Sequence, residues 1–162
     1  MIYVNARAII ERKISNKTEI IVQIRNKQGD SGKLELPGGQ VNEYESLIDA
    51  VKREVFEETG LVVSIVDGET DRIDTSSRKG NFFMECMRPF AVYQTLKGPV
   101  DSMGVYFKCK CIGSISESGD CTLNVRWMDT CELSNLVGNS PQLFSDVDLA
   151  GILFYLDTVN KG

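Results

Sequence analysis

Residues 37–61 read PGGQVNEYESLIDAVKREVFEETGL and contain the clearest structural signals in the chain. Ser46 and Asp49 have the spacing of a capping box, with Asp in place of the usual Glu, and Gly60 is a C-terminal stop signal. An α-helix is therefore predicted for residues 47–59. The proline and two glycines that open the stretch permit a sharp turn and the close approach of another group.

The predicted helix is amphipathic, and its polar side carries three close carboxylates. Its apolar stripe consists of Leu47, Ile48, Val51 and Val55. Glu57 and Glu58 follow Glu54 at i+3 and i+4, so the three carboxylates share an arc of roughly 100°. A solvated acidic face is the ordinary interpretation. However, like charges at i,i+4 destabilise a helix and the arc borders the apolar stripe, so a hard cation such as Mg²⁺ is the competing interpretation.

Apolar, β-branched runs on both sides of this helix predict strands. They cover residues 2–14, 19–25, 61–66, 90–96, 103–112 and 124–128, with a short extended piece at 33–36, a polar loop at 26–32 and a loop or hairpin at 67–80. A second helix is predicted for residues 146–160, which have apolar residues at helical spacing. Strands interrupted by two helices indicate the α/β class, as an α/β/α sandwich with helices on both faces of a sheet.

Length and composition predict one compact domain spanning residues 1–162, since 42% of the residues are hydrophobic and 25% are charged. No apolar run reaches the roughly 18 to 20 residues of a membrane span, and no export signal is visible. Five cysteines without a C-x-x-C pair favour a reducing cytoplasm over a disulfide framework. Cys109 and Cys111 share one strand face and are interpreted as core packing, as is Trp127.

Charge and the absence of histidine limit the chemistry that is open to this chain. The net charge of −5 argues against nucleic acid as a partner, because its phosphate backbone would be repelled. With no histidine, the chain lacks Ser-His-Asp and Cys-His machinery and imidazole-bound zinc. Carboxylate and metal chemistry is what remains.

The helix and its flanks resemble a known motif. Gly39, five residues, Glu45, seven residues, and then Arg53 to Leu61 resemble the complete Nudix box, the signature of the Nudix hydrolases. The preceding Pro37-Gly38 and the later residues 125–128, followed by Glu132-Leu133, resemble the family's usual order. This resemblance implies a Nudix-like α/β/α sandwich with a mixed sheet and the box on a loop-helix-loop. It also implies hydrolysis of a nucleoside diphosphate linked to another moiety, with Mg²⁺ or Mn²⁺ as cofactor.

The resemblance also implies roles for individual residues. The implied metal ligands are the Gly38 carbonyl, Glu54, Glu57 and Glu58. Glu54 would be a ligand or would orient the attacking water, and Glu45 would act through water near the helix start. Arg53 would pair with a glutamate and hold it in place. The alternative for Arg53 is an ordinary i,i+4 ion pair with Glu57.

A further carboxylate is expected outside the box, because many Nudix enzymes add one from a loop after the central strands. Here that loop is residues 114–121, which contains Glu117 and Asp120. Both also fit solvated turn residues. We favour Glu117 as the base or additional ligand, because its longer side chain reaches further and Asp120 is better suited to bonding its own backbone.

The box leaves the substrate open. The proline that the ADP-sugar subgroup usually shows after the box is not at its place, since the first proline after Gly60 is Pro89. Nucleoside triphosphate clean-up, on ordinary or oxidised nucleotides, is therefore the favoured small-molecule activity. The alternatives are ADP-sugar or dinucleoside polyphosphate hydrolysis and a non-catalytic nucleotide-sensing Nudix module. Whether the protein is a homodimer is left open.

Overall fold

Ten strands and three helices make up the fold in the computed structural model, which describes residues 1–28, 30–117, 119 and 121–162. The strands are β1 (Tyr3–Ile14), β2 (Lys17–Lys27), β3 (Asp30–Glu35), β4 (Gly38–Gln40), β5 (Val62–Val66), β6 (Ile73–Asp74), β7 (Glu85–Cys86), β8 (Ala91–Gln94), β9 (Ser102–Ile112) and β10 (Thr122–Asp129). The helices are α1 (Leu47–Thr59), α2 (Thr130–Asn139) and α3 (Asp146–Lys161).

The main sheet is mixed, as predicted. Its central order is β10-β2-β1-β9-β5, with β3 paired to β2, β4 to β1 and β8 to β9. β1 and β9 run parallel, whereas the other pairs of this sheet are antiparallel. β6 and β7 form a separate two-stranded hairpin. The short β4 places Pro37, Gly38 and Gly39, here called the glycine turn, beside the first half of β1.

Apolar side chains cover both faces of the sheet, which confirms the α/β/α sandwich. Along β1, Ala6 and Ala8 lie in one buried cluster with Val51 and Val55 of α1. Ile9, one residue out of phase, lies in a second cluster that contains buried apolar residues of α2 and α3. Alternation along a strand thus assigns α1 to one face and the other two helices to the opposite face.

The bounds of α1 are those predicted. The Ser46 hydroxyl accepts a hydrogen bond from the Asp49 amide at 3.4 Å. Gly60 adopts a left-handed conformation with φ of 75° and its amide donates to the Phe56 carbonyl. Both ends of the helix are therefore fixed by short-range signals in the sequence.

The prediction of two helices was wrong, because α2 is a third. Residues 130–139 include serine, asparagine and glycine, which lower helix propensity. The helix is held instead by a cap, in which the Asp129 carboxylate accepts from the Cys131 amide at 2.7 Å, and by burial of Leu133 and Val137. Tertiary packing here overrides local preference.

The prediction of a polar loop at 26–32 was wrong over most of that range, because β2 continues to Lys27 and β3 begins at Asp30. Cys109 and Cys111 both pack in the cluster beneath α1. Trp127 is only partly buried, and the Arg12 guanidinium lies 4.1 Å from its ring centroid. Among the described residues, no helix combines the length and apolarity needed to cross a membrane.

Candidate active site

The turn before α1 brings backbone against both β1 and the acidic helix face. Gly38 has φ of 140°, and a Cβ there would lie 2.5 Å from the Ala6 carbonyl oxygen. A Cβ on Gly39 would lie 2.5 Å from Glu54 Oε2. Only glycine fits at either position without displacing a neighbour. The turn and the carboxylate of Glu54 are therefore in direct contact.

Glu58 is the buried member of the three carboxylates, with only 8% of its surface exposed. Its Oε2 accepts hydrogen bonds from the Gly38 amide and from Gln23 Nε2, each at 2.8 Å. Burial raises the pKa of Glu58 to about 7, although these two hydrogen bonds act to lower it. The carboxylate is thus fixed in place and poorly solvated.

Arg53 links the other acidic side chains. Its Nε and Nη2 donate to the two oxygens of Glu45 at 2.7 and 2.8 Å. Its Nη1 donates to Glu54 at 2.6 Å and to Glu57 at 3.2 Å. Hydrogen bonding from Arg53 lowers the pKa of Glu45 to about 2, and the same contacts raise the pKa of Arg53. The expected i,i+4 ion pair between Arg53 and Glu57 exists, but the bidentate contact of Arg53 is with Glu45.

The carboxylates of this helix face suit a hard divalent cation in kind. The Gly38 carbonyl, the other predicted ligand, accepts a hydrogen bond from Arg7 at 3.2 Å. In the part of the chain that the structure describes, no three acidic or thiol side chains already surround one point as a preformed cation site. Glu54 and Glu57 accept hydrogen bonds from Arg53, whereas Glu58 accepts from Gln23 and from the Gly38 amide. A cation bound here would therefore share Glu54 and Glu57 with Arg53.

A model of the NUDIX domain matches residues 4–144 of the chain. The chain belongs to the NUDIX domain family. No curated protein is similar enough in sequence to count as a match. Nudix hydrolases generally use a divalent metal such as Mg²⁺ to hydrolyse the pyrophosphate linkage of nucleoside diphosphate derivatives.

Solved Nudix structures share the fold at low sequence identity. A NUDIX hydrolase from Nitrosomonas europaea is 18% identical with a TM-score of 0.69, and the match covers 99% of this chain and 73% of that one. The NUDIX domain of Shewanella oneidensis NrtR, complexed with ADP ribose, is 15% identical with a TM-score of 0.67, covering 98% and 89%. A MutT/nudix family protein from Enterococcus faecalis is 19% identical with a TM-score of 0.60. The match covers 80% of this chain and 44% of that one, so this chain spans under half of that protein.

The loop predicted to add a Nudix carboxylate packs against the end of α1. The Ser116 amide donates to the Thr59 carbonyl at 2.8 Å, and the Thr122 hydroxyl donates to the Glu58 carbonyl at 3.1 Å. Glu117 is exposed in this loop. Its alternative, Asp120, lies outside the described residues. The role of Glu117 stays a prediction.

Two buried polar residues beside the Nudix box were missed by sequence reasoning. Gln23 is fully buried, and Glu35 is only 3% exposed. Glu35 accepts from Arg25 at 3.0 Å and from Gln23 at 3.3 Å, so β2 and β3 place both next to Glu58. Their available signal was a polar residue that interrupts the apolar residues of a strand.

Arg7 and Asp148 were missed as well. The Arg7 guanidinium donates to both oxygens of Asp148 at 2.6 Å, and also to the carbonyls of Leu36 and Gly38 at 2.6 and 3.2 Å. Burial opposes the charge of Arg7, but Asp148 outweighs that effect, so the pKa of Arg7 is raised. A single arginine in the apolar run of β1 was the signal, whereas its partner 141 residues away had none.

Proposed function

We propose that the chain is a Mg²⁺-dependent hydrolase of nucleoside diphosphate derivatives, with Mn²⁺ as a substitute, and that ordinary or oxidised nucleoside triphosphates are its preferred substrates. The observation that carries this proposal is the acidic face of α1. Glu54 contacts the Gly39 backbone and Glu58 accepts from the Gly38 amide, so both lie against the glycine turn. Every acidic position of the box is present in the sequence.

In this proposal the Gly38 carbonyl, Glu54, Glu57 and Glu58 hold the metal. When bound, Mg²⁺ neutralises charge on the phosphate oxygens and makes a water molecule more acidic. This lets an anionic protein accept an anionic substrate.

The other box residues act through position and proton transfer. Arg53 holds Glu45 and Glu54 in fixed orientations through its hydrogen bonds. Glu54 either binds the metal or orients the attacking water, and Glu45 acts through water at the start of α1. Glu117 is proposed as the base or as one more ligand from the neighbouring loop. A proton taken by a positioned carboxylate contributes typically ~10²–10⁴-fold to a rate.

Hydrolysis of ADP-sugars is the second candidate, and dinucleoside polyphosphates belong to the same group of alternatives. The observation in favour is the Shewanella oneidensis NrtR domain, which has the same fold and was solved complexed with ADP ribose. A non-catalytic nucleotide-sensing module is less favoured, because every acidic position of the box is present.

A substrate screen tests the proposal. Purified protein is incubated with nucleoside triphosphates, ADP-sugars, dinucleoside polyphosphates and NADH, with Mg²⁺, with Mn²⁺ and with chelator, and released phosphate or pyrophosphate is measured. We expect turnover of at least one triphosphate only when metal is present. Saturable nucleotide binding without turnover of any compound would instead support the sensing module.

We also propose that residues 1–162 form one domain and that the protein works in the cytoplasm. The cysteines support the second point, because all five are free thiols and three of them are exposed. Such thiols persist in a reducing compartment.

A further inference from the structure

Gln23 is a fully buried polar side chain in an otherwise apolar part of β2. Ile20, Ile21 and Val22 precede it, and all three are fully buried. Its Nε2 donates to Glu58 Oε2 at 2.8 Å and to Glu35 Oε1 at 3.3 Å. Its own Oε1 is buried and finds no hydrogen-bond partner within the described part of the chain. An unpaired carbonyl in such a place destabilises the fold relative to an apolar side chain.

The chemistry of its neighbours fixes the orientation of this amide. Glu58 Oε2 already accepts from the Gly38 amide and Glu35 accepts from Arg25, so both groups act as acceptors here and the nitrogen of Gln23 faces them. Turning the amide over would place its carbonyl oxygen against two carboxylate oxygens. The unpaired oxygen is therefore a consequence of serving the two acids.

The contact has a definite effect on Glu58. The two hydrogen bonds that the described residues donate to this carboxylate, from Gln23 and from the Gly38 amide, both end on Oε2. Oε2 is thereby held towards the strands, which leaves Oε1 for another partner. A buried carboxylate with one oxygen anchored in this way has a fixed direction for its second oxygen.

We propose that Gln23 is a positioning residue that orients the Glu58 carboxylate for metal binding. This inference rests on the proposed function, in which Glu58 is a metal ligand. Partners of ligating side chains typically change metal affinity by 10- to 100-fold when they are removed. The amide of Gln23 is thus retained at a cost in fold stability because it serves the metal site.

The test compares Gln23→Met, which keeps the length of the side chain and removes the amide, with Gln94→Met. Gln94 is exposed on β8, away from the box, so it receives the same chemical change as a control. Mn²⁺ binding to each full-length protein is measured by titration calorimetry without substrate, and the Tm is measured without metal. We expect Gln23→Met to raise the Kd for Mn²⁺ at least ~10-fold with an unchanged or higher metal-free Tm, and Gln94→Met to match the wild type in Kd.

The outcomes separate this inference from the proposed function. If the wild type and Gln23→Met bind Mn²⁺ equally, the positioning role is overturned while metal-dependent hydrolysis stands. If the wild type binds no Mn²⁺, both are overturned. Gln23→Thr provides a second comparison should methionine not fit the strand, since threonine suits a buried strand and has no amide. It should weaken Mn²⁺ binding by a similar factor, and an unchanged Kd in a folded Gln23→Thr protein contradicts the proposal.

Discussion

Arg53 sets the charge balance of the acidic helix face, because it contacts Glu45, Glu54 and Glu57 together. The carboxylates therefore do not simply repel one another in the metal-free protein. Glu57 makes the longest of these contacts and its side chain is 43% exposed. An ion pair as exposed as this contributes little to the free energy of unfolding.

Glu57→Gln separates the role of this carboxylate in catalysis from its role in stability. We expect kcat at saturating Mg²⁺ to fall by at least ~10², because a ligand to the metal loses its charge. The metal-free Tm should stay within a degree or two of the wild type, or rise slightly. Glu43→Gln, the same change at an exposed residue before the helix, should alter neither quantity. An early melt of Glu57→Gln, with activity lost in proportion to unfolded protein, would falsify this prediction.

Glu58 makes the stability of the metal-free protein depend on pH. Its pKa is raised to about 7 in the fold by burial, against 4.5 in an unperturbed glutamate, so the folded state retains a proton that the unfolded state has already released. The free energy of unfolding should therefore fall as pH rises from about 4.5 to about 7. The expected total is roughly 3 kcal/mol at 1.36 kcal/mol for each pH unit.

Urea unfolding of the wild type and Glu58→Gln at pH 5 and pH 8 without metal measures this dependence. The two proteins should have similar stability at pH 5, where Glu58 is mostly protonated, and Glu58→Gln should be the more stable at pH 8. If the difference in the free energy of unfolding between the two proteins is the same at pH 5 and pH 8, Glu58 does not titrate in this range.

Local sequence signals predicted the residues of the acidic face, but not those beneath it. The spacing of Glu54, Glu57 and Glu58 is enough to place them on one face of the helix, since 3.6 residues make one turn. Gln23 and Glu35 meet Glu58 only through strand pairing and helix docking, which no short-range spacing describes. An isolated polar residue within a strand indicated each of them separately, but not that they meet Glu58.

At the level of elements, the same contrast separates α1 from α2. α1 has a cap, an apolar stripe and a terminal glycine within its own sequence, and its bounds were predicted correctly. α2 has a cap at Asp129 but few strong helix formers, so its existence depends on packing against β2, β10 and α3. Strand pairing likewise extended β2 and β3 into a segment whose polar composition indicated a loop.

The loop between β9 and β10 is the element that tests the extra carboxylate. Its Ser116 amide binds the carbonyl of Thr59, so the loop is attached to the same helix that carries the box. If Glu117 is the base or a further ligand, Glu117→Gln should lower kcat by at least ~10² with little change in KM. Asp120→Asn should stay near the wild type, as measured by steady-state kinetics on the best substrate.

Other outcomes of this comparison are informative in different ways. Equal and small effects of both substitutions would mean that the box alone supplies the catalytic carboxylates. A large loss only in Asp120→Asn would assign the role to that residue.

At the scale of the whole molecule, the first strand and the last helix meet beside the glycine turn, through Arg7 and Asp148. Asp148, in the first turn of α3, accepts from the side chain of Arg7 in β1, from the Leu36 amide at 3.0 Å and from the Tyr106 hydroxyl at 3.1 Å. Arg7 in turn binds the Gly38 carbonyl. The C-terminal helix is thereby connected to the backbone proposed to bind metal, although it lies on the opposite face of the sheet from α1.

Removing one member of this buried pair should destabilise the protein far more than removing both. Asp148→Ala leaves the buried charge of Arg7 without its main partner, and we expect a loss of about 3–5 kcal/mol in the free energy of unfolding, measured in urea without metal. The double variant Arg7→Met/Asp148→Leu fills the space with apolar atoms and should recover much of that loss. It also releases the Gly38 carbonyl from Arg7, so a stable double variant should still have a lower kcat than the wild type. If Arg7→Met and Asp148→Leu, each also measured singly, destabilise by amounts that add up to the effect of the double variant, the pair is not a unit. If the stable double variant keeps full activity, α3 does not position the turn.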